Sequence, residues 1–452
     1  MKRDRSILAT AALALLLLAA PAVRAEGRVL TLDEALSKAM AANPSITGSR
    51  ESLSAAGHRV DGSWAGYLPQ VVASLGYKRA TANSPAVPWI DLSALGAVGG
   101  SVKSFVSHET TDSYNNYSAS LSASQTIWDF GRTLGTNRAA VALQDASSAD
   151  VTTTIQGVRL SVIQAYYGVL ATQEVVKAAE ETKSQMEKHL AQAQIQADAG
   201  VRQRIDVTRS QSALSSANLA LLRARNGAML AKVNLDAAMG GVGDIDFEVV
   251  EPPEPTVLDV DPDKAVVEAL DRRPEYRGLG SRVKAAGAVV TAARSAWFPA
   301  LAATGGVAWA GYKFSDLPTN WFVGATLNWN LLSGIPANAS TEEAKSNQRA
   351  LQESLRSLEV GIRSEVQSAV LNYREAVQRI EPAKALLESA KQTLALAEGR
   401  YAAGAGSIME VTDAQAVWVQ ATSGLIGARY DLQTARARLL KAMGEGDVAV
   451  SR

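Results

Sequence analysis

The chain contains a long internal duplication, in which a unit of about 200 residues occurs twice. In the first part of the unit, matching residues are 230 positions apart: Pro44 with Pro274, and Pro69 with Pro299. Later in the unit they are 204 positions apart: Arg159 with Arg363, Gly200 with Gly404, and Met239 with Met443. The first copy therefore has an additional loop between Pro69 and Gln125. Because solenoid repeats have periods of about 20–50 residues, the pattern indicates a duplicated domain.

Residues 1–25 have the features of a secretory signal peptide. Lys2, Arg3 and Arg5 precede an apolar stretch from Ile7 to Ala20, which is shorter than the roughly 20 residues of a spanning helix. The alternative interpretation is an N-terminal membrane anchor. The sequence contains no cysteine, which excludes disulfides and an acylated N-terminal cysteine.

Composition and motifs give no indication of catalysis or nucleic-acid binding. Basic and acidic residues are balanced at 45 each, and the basic residues are not clustered. The sequence has no G-x-S-x-G, H-E-x-x-H or phosphate-binding glycine loop. Three histidines, His58, His108 and His189, lie far apart, and each is predicted to be a solvated surface residue. We expect no enzyme activity, cofactor, metal or nucleic-acid partner.

Long helices are predicted to make up most of each copy. No proline occurs between Pro88 and Pro252, and the segment after Gly131 is rich in Ala, Gln, Leu and Val. This predicts a long helix over 133–197, about 95 Å at 1.5 Å per residue, and a return helix over 204–239. The second copy predicts the same pair over 337–403 and 408–443, with Pro382 expected to bend the long helix.

Alternation of apolar and polar residues predicts four strands, at about 68–80, 113–128, 298–314 and 320–332. In the clearest of them, Tyr117, Ala119, Leu121 and Ala123 alternate with serines. Aromatic residues lie toward the strand ends, as in transmembrane β-barrels, which have at least 8 strands. The four strands of one chain are too few to close such a barrel, so several chains would have to share it. Three chains would supply 12 strands. The alternative is a soluble two-hairpin sheet packed on a helical bundle.

The predicted organisation has five parts. They are a signal peptide (1–25), a first repeat (26–240), a proline-containing linker (241–262), a second repeat (263–444) and a short C-terminal tail (445–452).

These features resemble the TolC-type outer-membrane efflux proteins over about 28–444. The resemblance is most specific in the strand-to-helix turn QTIWDFGR at 125–132 and in two glycine-centred segments, 197–207 and 401–411. It implies a mostly α fold with transmembrane β structure. That fold is a homotrimer whose 12-stranded β-barrel, with four strands per chain, continues into a long periplasmic α-helical barrel.

The resemblance also implies a function. The protein would be a passive channel-tunnel in the outer membrane that exports small molecules or proteins, as in tripartite efflux or type I secretion. It would be docked to an inner-membrane transporter through a periplasmic adaptor. The alternative is a soluble periplasmic coiled-coil adaptor or scaffold without a pore. The sequence identifies neither the substrate nor whether the partner pump is proton-driven or ATP-driven.

The resemblance assigns a periplasmic gate to the helix ends around the two glycine-centred segments. Asp206 and Tyr401 match residues that bond across neighbouring helical hairpins, and Glu410 and Asp413 match an acidic ring. A structural role is also open, because carboxylates in the first turn of a helix are favoured by the helix dipole and by capping. Ser407 and Glu410 fit a capping box.

One feature departs from the family pattern. The gate arginine of the family corresponds to Gly406 in this chain, whereas the first repeat has Arg202 and Arg204. Either one of these arginines replaces the missing cation or the closure is looser.

The same two segments are expected to dock the adaptor. The resemblance places the adaptor on glycines and on exposed small or apolar residues: Gly200, Val201, Ile205, Gly404, Ala405 and Ile408. The alternative is that these are ordinary loop residues that pack on the next protomer.

Overall fold

The computed structural model describes residues 28–81, 113–201, 203–243, 245–253, 256–331 and 334–445. The predicted signal peptide, Arg202 and residues 446–452 of the tail lie outside the described residues. The chain divides into two compact units whose segments interleave along the sequence. One comprises residues 1–50, 150–275 and 358–452, and the other comprises residues 51–149 and 276–357.

Each repeat contributes the same series of helices and strands. The first repeat contains β1 (Arg28–Leu30), α1 (Leu32–Ala42), α2 (Pro44–Ser63), β2 (Gln70–Thr81), β3 (Ser113–Trp128), α3 (Arg132–Asp198) and α4 (Arg204–Met239). In the second series, β4 (Phe247–Val249) lies in the predicted linker. It is followed by α5 (Pro262–Arg272), α6 (Pro274–Arg294), β5 (Ala300–Gly311), β6 (Thr319–Asn328), α7 (Gly334–Ala402) and α8 (Ile408–Ala442). Short 3-10 turns, Trp64–Tyr67 and Ser295–Trp297, precede β2 and β5.

Local sequence explains the boundaries of the short helices. Thr31 caps α1 in a capping box with Glu34, in which the Thr31 hydroxyl accepts from Glu34 N and the Glu34 carboxylate accepts from Thr31 N. Asp261 caps α5, where Pro262 occupies the first turn, a position that needs no backbone donor. Both helices end two residues before a proline, because a proline disfavours helical geometry in the residue that precedes it.

The long helices α3 and α7 contain 67 and 69 residues. They begin and end within a few residues of the positions expected from composition. Pro382 lies inside α7, which continues through it without interruption. The loss of one backbone donor at Pro382 therefore does not end the helix.

The four long strands form one antiparallel sheet in the order β2-β3-β5-β6. Pairing of β3 with β5 joins the two predicted hairpins, so each repeat supplies half of the sheet. No residue of these strands is buried within the chain. Since β2 and β6 each have one partner strand among the described residues, the sheet has two open edges.

Alternation gives the sheet two chemically different faces. Ala73, Leu121, Val307 and Trp321 form one row across all four strands. The neighbouring row, on the opposite face, is Ser74, Ser120, Ala308 and Asn320. In that row the hydroxyls of Ser74 and Ser120 are 2.7 Å apart. At these two rows one face is therefore apolar and the other is lined by small or polar residues, although Phe322 lies on the second face as well.

The predicted linker contains a strand that alternation did not reveal. Strand β4 pairs in parallel with β1 at the start of the described chain. The fully buried Tyr166 of α3 fixes both strands, because its hydroxyl lies 3.0 Å from Leu30 O and 2.7 Å from Val250 O. Burial raises the pKa of Tyr166 to about 12. Three-residue strands are too short to show a period, so they escaped prediction.

The two return helices end in the same way. Gly240 and Gly444 are left-handed, with φ of 83° and 77°. A Cβ on Gly240 would lie 2.8 Å from Asn43 Cα, and one on Gly444 would lie 3.0 Å from Arg273 N. Each glycine therefore packs against the junction between the two short helices of its own repeat. Gly240 and Gly444 are 204 residues apart, whereas Asn43 and Arg273 are 230 residues apart. The contact therefore joins the early part of each repeat to its end.

Candidate functional site

Two glycine-centred turns connect the long helices to the return helices. We call residues 199–203 the first tip and residues 403–407 the second tip. Gly200 has φ of 71°, and Val201 N donates to Gln196 O at 2.9 Å. Gly404 has φ of 80°, and Ala405 N donates to Arg400 O at 2.9 Å. Both turns therefore have the left-handed glycine and the backbone bond of a Schellman motif.

The second tip has a small apolar core. Tyr401 is almost completely buried, and it lies in a cluster with Leu394, Ala397, Ile408, Val411 and Ala414. The prediction that Ile408 is exposed is wrong. As the first residue of α8, Ile408 points into this cluster and is 2% exposed. The structure thus places Tyr401 and Ile408 together inside one helical hairpin.

The first tip and the start of α4 expose two apolar side chains. Val201 and Ile205 are both exposed, and so are Gly200, Gly404 and Ala405. Five of the six residues predicted to dock an adaptor are therefore accessible within this chain. The two tips are not equivalent, because Val201 and Ile205 are exposed at the first, whereas Tyr401 and Ile408 are buried at the second.

The acidic residues lie in the first turns of the return helices. Asp206 is half-buried near the start of α4, and Asp413 is exposed on α8. Ser407 Oγ accepts from Glu410 N at 3.3 Å, which is half of the predicted capping box. Instead of completing the box, the Glu410 carboxylate lies 3.6 Å from Arg400 Nε. The structure thus pairs Glu410 with a cation from the last turn of α7.

Arg400 is the residue that sequence reasoning missed. A Cβ on Gly406 would lie 3.0 Å from Arg400 Cβ and 3.1 Å from Tyr401 N, so a side chain there would be crowded. Among the described residues, Arg204 is exposed and forms no ion pair within 4.0 Å. Arg400 directly precedes Tyr401 in the sequence. Its distance of ten residues from Glu410 concealed a contact that exists only because the chain reverses between them.

His189 also differs from its predicted role as a solvated residue. It is largely buried, and its Nε2 lies 3.2 Å from Glu398 Oε1. This contact joins α3 to α7, and therefore the first repeat to the second, near the two tips. The described residues contain no group of three or more His, Cys, Asp and Glu side chains that could hold a metal ion. Within the described residues no helix has an apolar stretch long enough to cross a membrane.

The strand-to-helix turn after β3 is organised by Asp129. This buried carboxylate accepts from Thr133 N at 2.8 Å, from Tyr67 Oη at 3.1 Å and from Gly131 N at 3.2 Å. Burial alone would raise the pKa of Asp129, but these bonds and that from the Thr133 hydroxyl outweigh burial and lower it. Phe130 has a positive φ of 51° and stacks on Phe298 at 4.9 Å. The two repeats are thus joined at this turn.

Comparison with known proteins agrees with this architecture. The family model for outer membrane efflux proteins matches residues 35–241 and 265–445. The antibiotic efflux pump outer membrane protein ArpC of Pseudomonas putida is 26% identical over 345 residues, which cover 74% of this chain and 70% of ArpC. The pyoverdine export outer membrane protein OpmQ of Pseudomonas aeruginosa is 24% identical over 343 residues, which cover 74% of this chain and 71% of OpmQ.

A solved structure shows the same fold. The CmeC outer membrane channel of Campylobacter jejuni superposes with a TM-score of 0.79 at 17% identity, over 92% of this chain and 86% of CmeC. The family match covers both repeats. The chain therefore belongs to the outer membrane efflux protein family, and it is an efflux channel of the outer membrane, not an enzyme.

Proposed function

We propose that three copies of this chain form one exit channel, to which each copy contributes four strands of a shared barrel. The observation that carries the proposal is the sheet itself, which has two open edges and no buried residue in one chain. Unpaired backbone groups are not tolerated in lipid, so the edges must close. Barrels of this kind have at least 8 strands. Three chains would supply 12.

The two faces of the sheet give the barrel its orientation. The apolar face, with Leu121, Val307 and Trp321, would contact lipid. The face with Ser74, Ser120 and Asn320 would line the lumen. Most side chains on that face are small, with Phe322 as an exception, and they would leave the interior open for the passage of solutes.

The two tips are the proposed periplasmic docking site for an adaptor, which would link the channel to an inner-membrane transporter. Val201 and Ile205 support this role, because exposed apolar side chains at the end of a hairpin suit a protein partner. The exposed glycines Gly200 and Gly404 would let a partner approach the backbone closely.

The acidic residues beside the tips are the proposed gate. Asp206, Glu410 and Asp413 would each occur three times around the channel, where carboxylates favour cations. Tyr401 would act by packing, since its ring stabilises the hairpin that presents Glu410. In the hypothesis drawn from the sequence, Arg202 or Arg204 supplies the cation that is missing at Gly406. In a second hypothesis, Arg400 supplies it.

Single-channel recording in planar bilayers separates the two hypotheses. If Arg400 balances Glu410, Arg400→Ala should raise conductance and cation selectivity, whereas Glu410→Gln should lower cation selectivity. The double variant Arg202→Ala/Arg204→Ala is the matched comparison. Larger conductance in that variant alone would assign the cation to the first tip. Unchanged conductance in all three would exclude an ionic gate at these residues.

The proposed substrates are small organic molecules. ArpC is named for antibiotics and OpmQ for pyoverdine, and other relatives are named for toluene and for solvents. The proposal as a whole predicts that the mature protein fractionates with outer membrane, migrates as a heat-sensitive trimer and conducts ions. A stable monomer that stays soluble without detergent would contradict it and favour the scaffold alternative.

A further inference from the structure

A large aromatic side chain lies on the face of the sheet that otherwise carries small or polar residues. The rows that begin at Gln70, Val72 and Ser74 each cross all four strands on that face. Among the residues that the structure places in these three rows, Phe322 is the only aromatic one. Apart from Val72, the other residues of these rows are Gln, Asn, Ser, Thr, Ala or Gly. Phe322 therefore differs from the rest of its face.

The position of Phe322 does not fit an aromatic girdle. Girdles lie on the lipid-facing side of a barrel, at the two membrane interfaces. Phe322 pairs with Gly306, the seventh of the 12 residues of β5, so its row crosses the middle of that strand. The preceding residue, Trp321, lies on the apolar face. Anchoring at the membrane surface therefore does not explain this phenylalanine.

Gly306 leaves the space in which the Phe322 ring lies. A Cβ on Gly306 would lie 2.8 Å from Phe322 Cε1 and 3.1 Å from Phe322 Cζ. The ring therefore occupies the place that a side chain at position 306 would take, and this contact between β5 and β6 orients it. Cover of a strand glycine by an aromatic side chain also helps to fix strand register. Phe322 nevertheless remains 52% exposed within the chain, so much of its surface is available to another molecule.

In the proposed trimer, Phe322 would occur three times at one level of the lumen. Strands that are about 4.8 Å apart and tilted by about 40° give a barrel of 12 a circumference of about 75 Å and a backbone diameter of about 24 Å. Three phenylalanine side chains against the wall cannot close an opening of this width. They would instead be accessible apolar surfaces among hydroxyl, amide and small side chains.

We propose that Phe322, supported by Gly306, is a contact site for aromatic solutes during their passage through the barrel. An aromatic solute gains from the burial of apolar area and also from offset or edge-to-face contact with the Phe322 ring. A saturated solute of the same size gains only from burial. The site therefore binds aromatic solutes more tightly and leaves the passage open to both kinds. The inference rests on the channel proposed above and adds a residue that sets its preference among solutes.

Site-specific fluorine NMR tests the inference. The variant Phe322→4-fluorophenylalanine is purified in detergent and reconstituted in lipid nanodiscs. The probe is benzyltrimethylammonium, a water-soluble aromatic cation, and its saturated analogue is (cyclohexylmethyl)trimethylammonium. Since both probes carry the same charge, their attraction to carboxylates of the channel is matched. The fluorine signal should shift saturably with the aromatic cation, and the saturated cation should need a concentration about 2- to 10-fold higher for a half-maximal shift.

Trp321→4-fluorophenylalanine is the matched control, because position 321 is adjacent on β6 but lies on the opposite face. Its signal should not move at concentrations that saturate the shift at 322. Gly306→Ala, added to the protein labelled at 322, places a Cβ where the ring lies. It should therefore change the fluorine signal before any probe is added and should weaken the binding of the aromatic cation.

The outcomes separate this inference from the proposed channel. No shift at 322, in protein that light scattering in detergent shows to be trimeric, would overturn the inference and leave the trimer intact. Equal half-maximal concentrations for the two cations would have the same consequence. A shift at 321 without one at 322 would overturn the inference together with the proposed faces of the sheet. A monomer in light scattering would overturn the proposed channel itself.

Discussion

At the scale of single residues, the chain places charge where the backbone changes direction. Asp129 stabilises the turn between β3 and α3 with hydrogen bonds from three residues, and Arg400 pairs with Glu410 across the second tip. Both carboxylates lie at the ends of elements, where unpaired backbone N–H groups and the helix dipole favour negative charge. A carboxylate therefore stabilises the turn before α3, and another carboxylate, beside the end of α7, belongs to the proposed gate.

Replacing Asp129 should show how much this turn contributes to stability. Asn in place of Asp removes the charge that three donor residues share, so Asp129→Asn should destabilise the protein by about 1–3 kcal/mol. The thermal midpoint of the helical circular dichroism signal in detergent at pH 7 measures the effect. Asp145→Asn, an exposed substitution on the same helix, should leave the midpoint unchanged.

The pH dependence of this effect has a defined sign. The pKa of Asp129 is lower in the folded protein than in the unfolded chain. Its contribution is therefore fully present above the unfolded value of about 3.9 and is lost as pH falls through the folded value. Between pH 7 and pH 3 the midpoint of the natural protein should fall more than that of Asp129→Asn. Equal falls in the two proteins would contradict the assignment.

Sequence reasoning identified positions at the tips better than it identified contacts. Gly200 and Gly404 were predictable because a left-handed residue after a long helix is nearly always glycine. The burial of Ile408 and the pairing of Arg400 were not predictable, because both depend on how the chain folds back over the preceding turn. The proposed roles of Asp206 and Asp413 stay predictions.

At the scale of secondary-structure elements, the long helices and strands could be predicted because their sequence patterns persist over many residues. The helix bounds were predicted to within a few residues, and the alternation in β3 located the clearest strand of the sheet. The pairing of β3 with β5 was not readable, because alternation gives the faces of a strand but not its neighbour. The pairing of β1 with β4 joins segments more than 200 residues apart, and no local signal marks it.

The glycine that ends each return helix should be the least replaceable residue of its element. Gly240→Ala adds a Cβ in a left-handed backbone conformation, 2.8 Å from Asn43 Cα, and backbone cannot yield as a side chain would. We expect a loss of at least about 1–2 kcal/mol, from left-handed strain and overpacking. Gly227→Ala is the control, since Gly227 lies inside α4 with no atom within 4 Å of the added Cβ.

The two substitutions should act in opposite directions. Gly227→Ala should stabilise α4 by up to about 1 kcal/mol, because alanine favours a helix interior. Thermal unfolding of both variants in the same detergent makes the comparison. Equal midpoints for Gly240→Ala and the natural protein would show that the contact with the α1–α2 junction is not tight.

At the scale of the whole molecule, the duplication and the open sheet have one explanation. Each repeat contributes two strands and one pair of long helices, and the chain leaves uncovered the surfaces that a further repeat would cover. The two edges of the sheet, β2 and β6, are surfaces of this kind among the described residues. In the proposed trimer, a ring of repeats, of which each chain supplies two, would cover these surfaces.

The faces of the sheet provide the most direct test of this assembly, because neighbouring residues on one strand should respond differently to the same charge. Leu121 lies in the apolar row and Ser120 in the small polar row. Arginine facing the middle of the bilayer costs about 2–4 kcal/mol per side chain, whereas lumen substitutions change selectivity. Leu121→Arg should therefore reduce the amount of heat-sensitive trimer recovered from outer membrane. Ser120→Arg should assemble normally and should lower cation selectivity in planar bilayers, because three guanidinium groups would then line the channel.

If Ser120→Arg blocked assembly and Leu121→Arg did not, the faces would be reversed. Equal loss of trimer in both variants would show that neither face lines an open lumen.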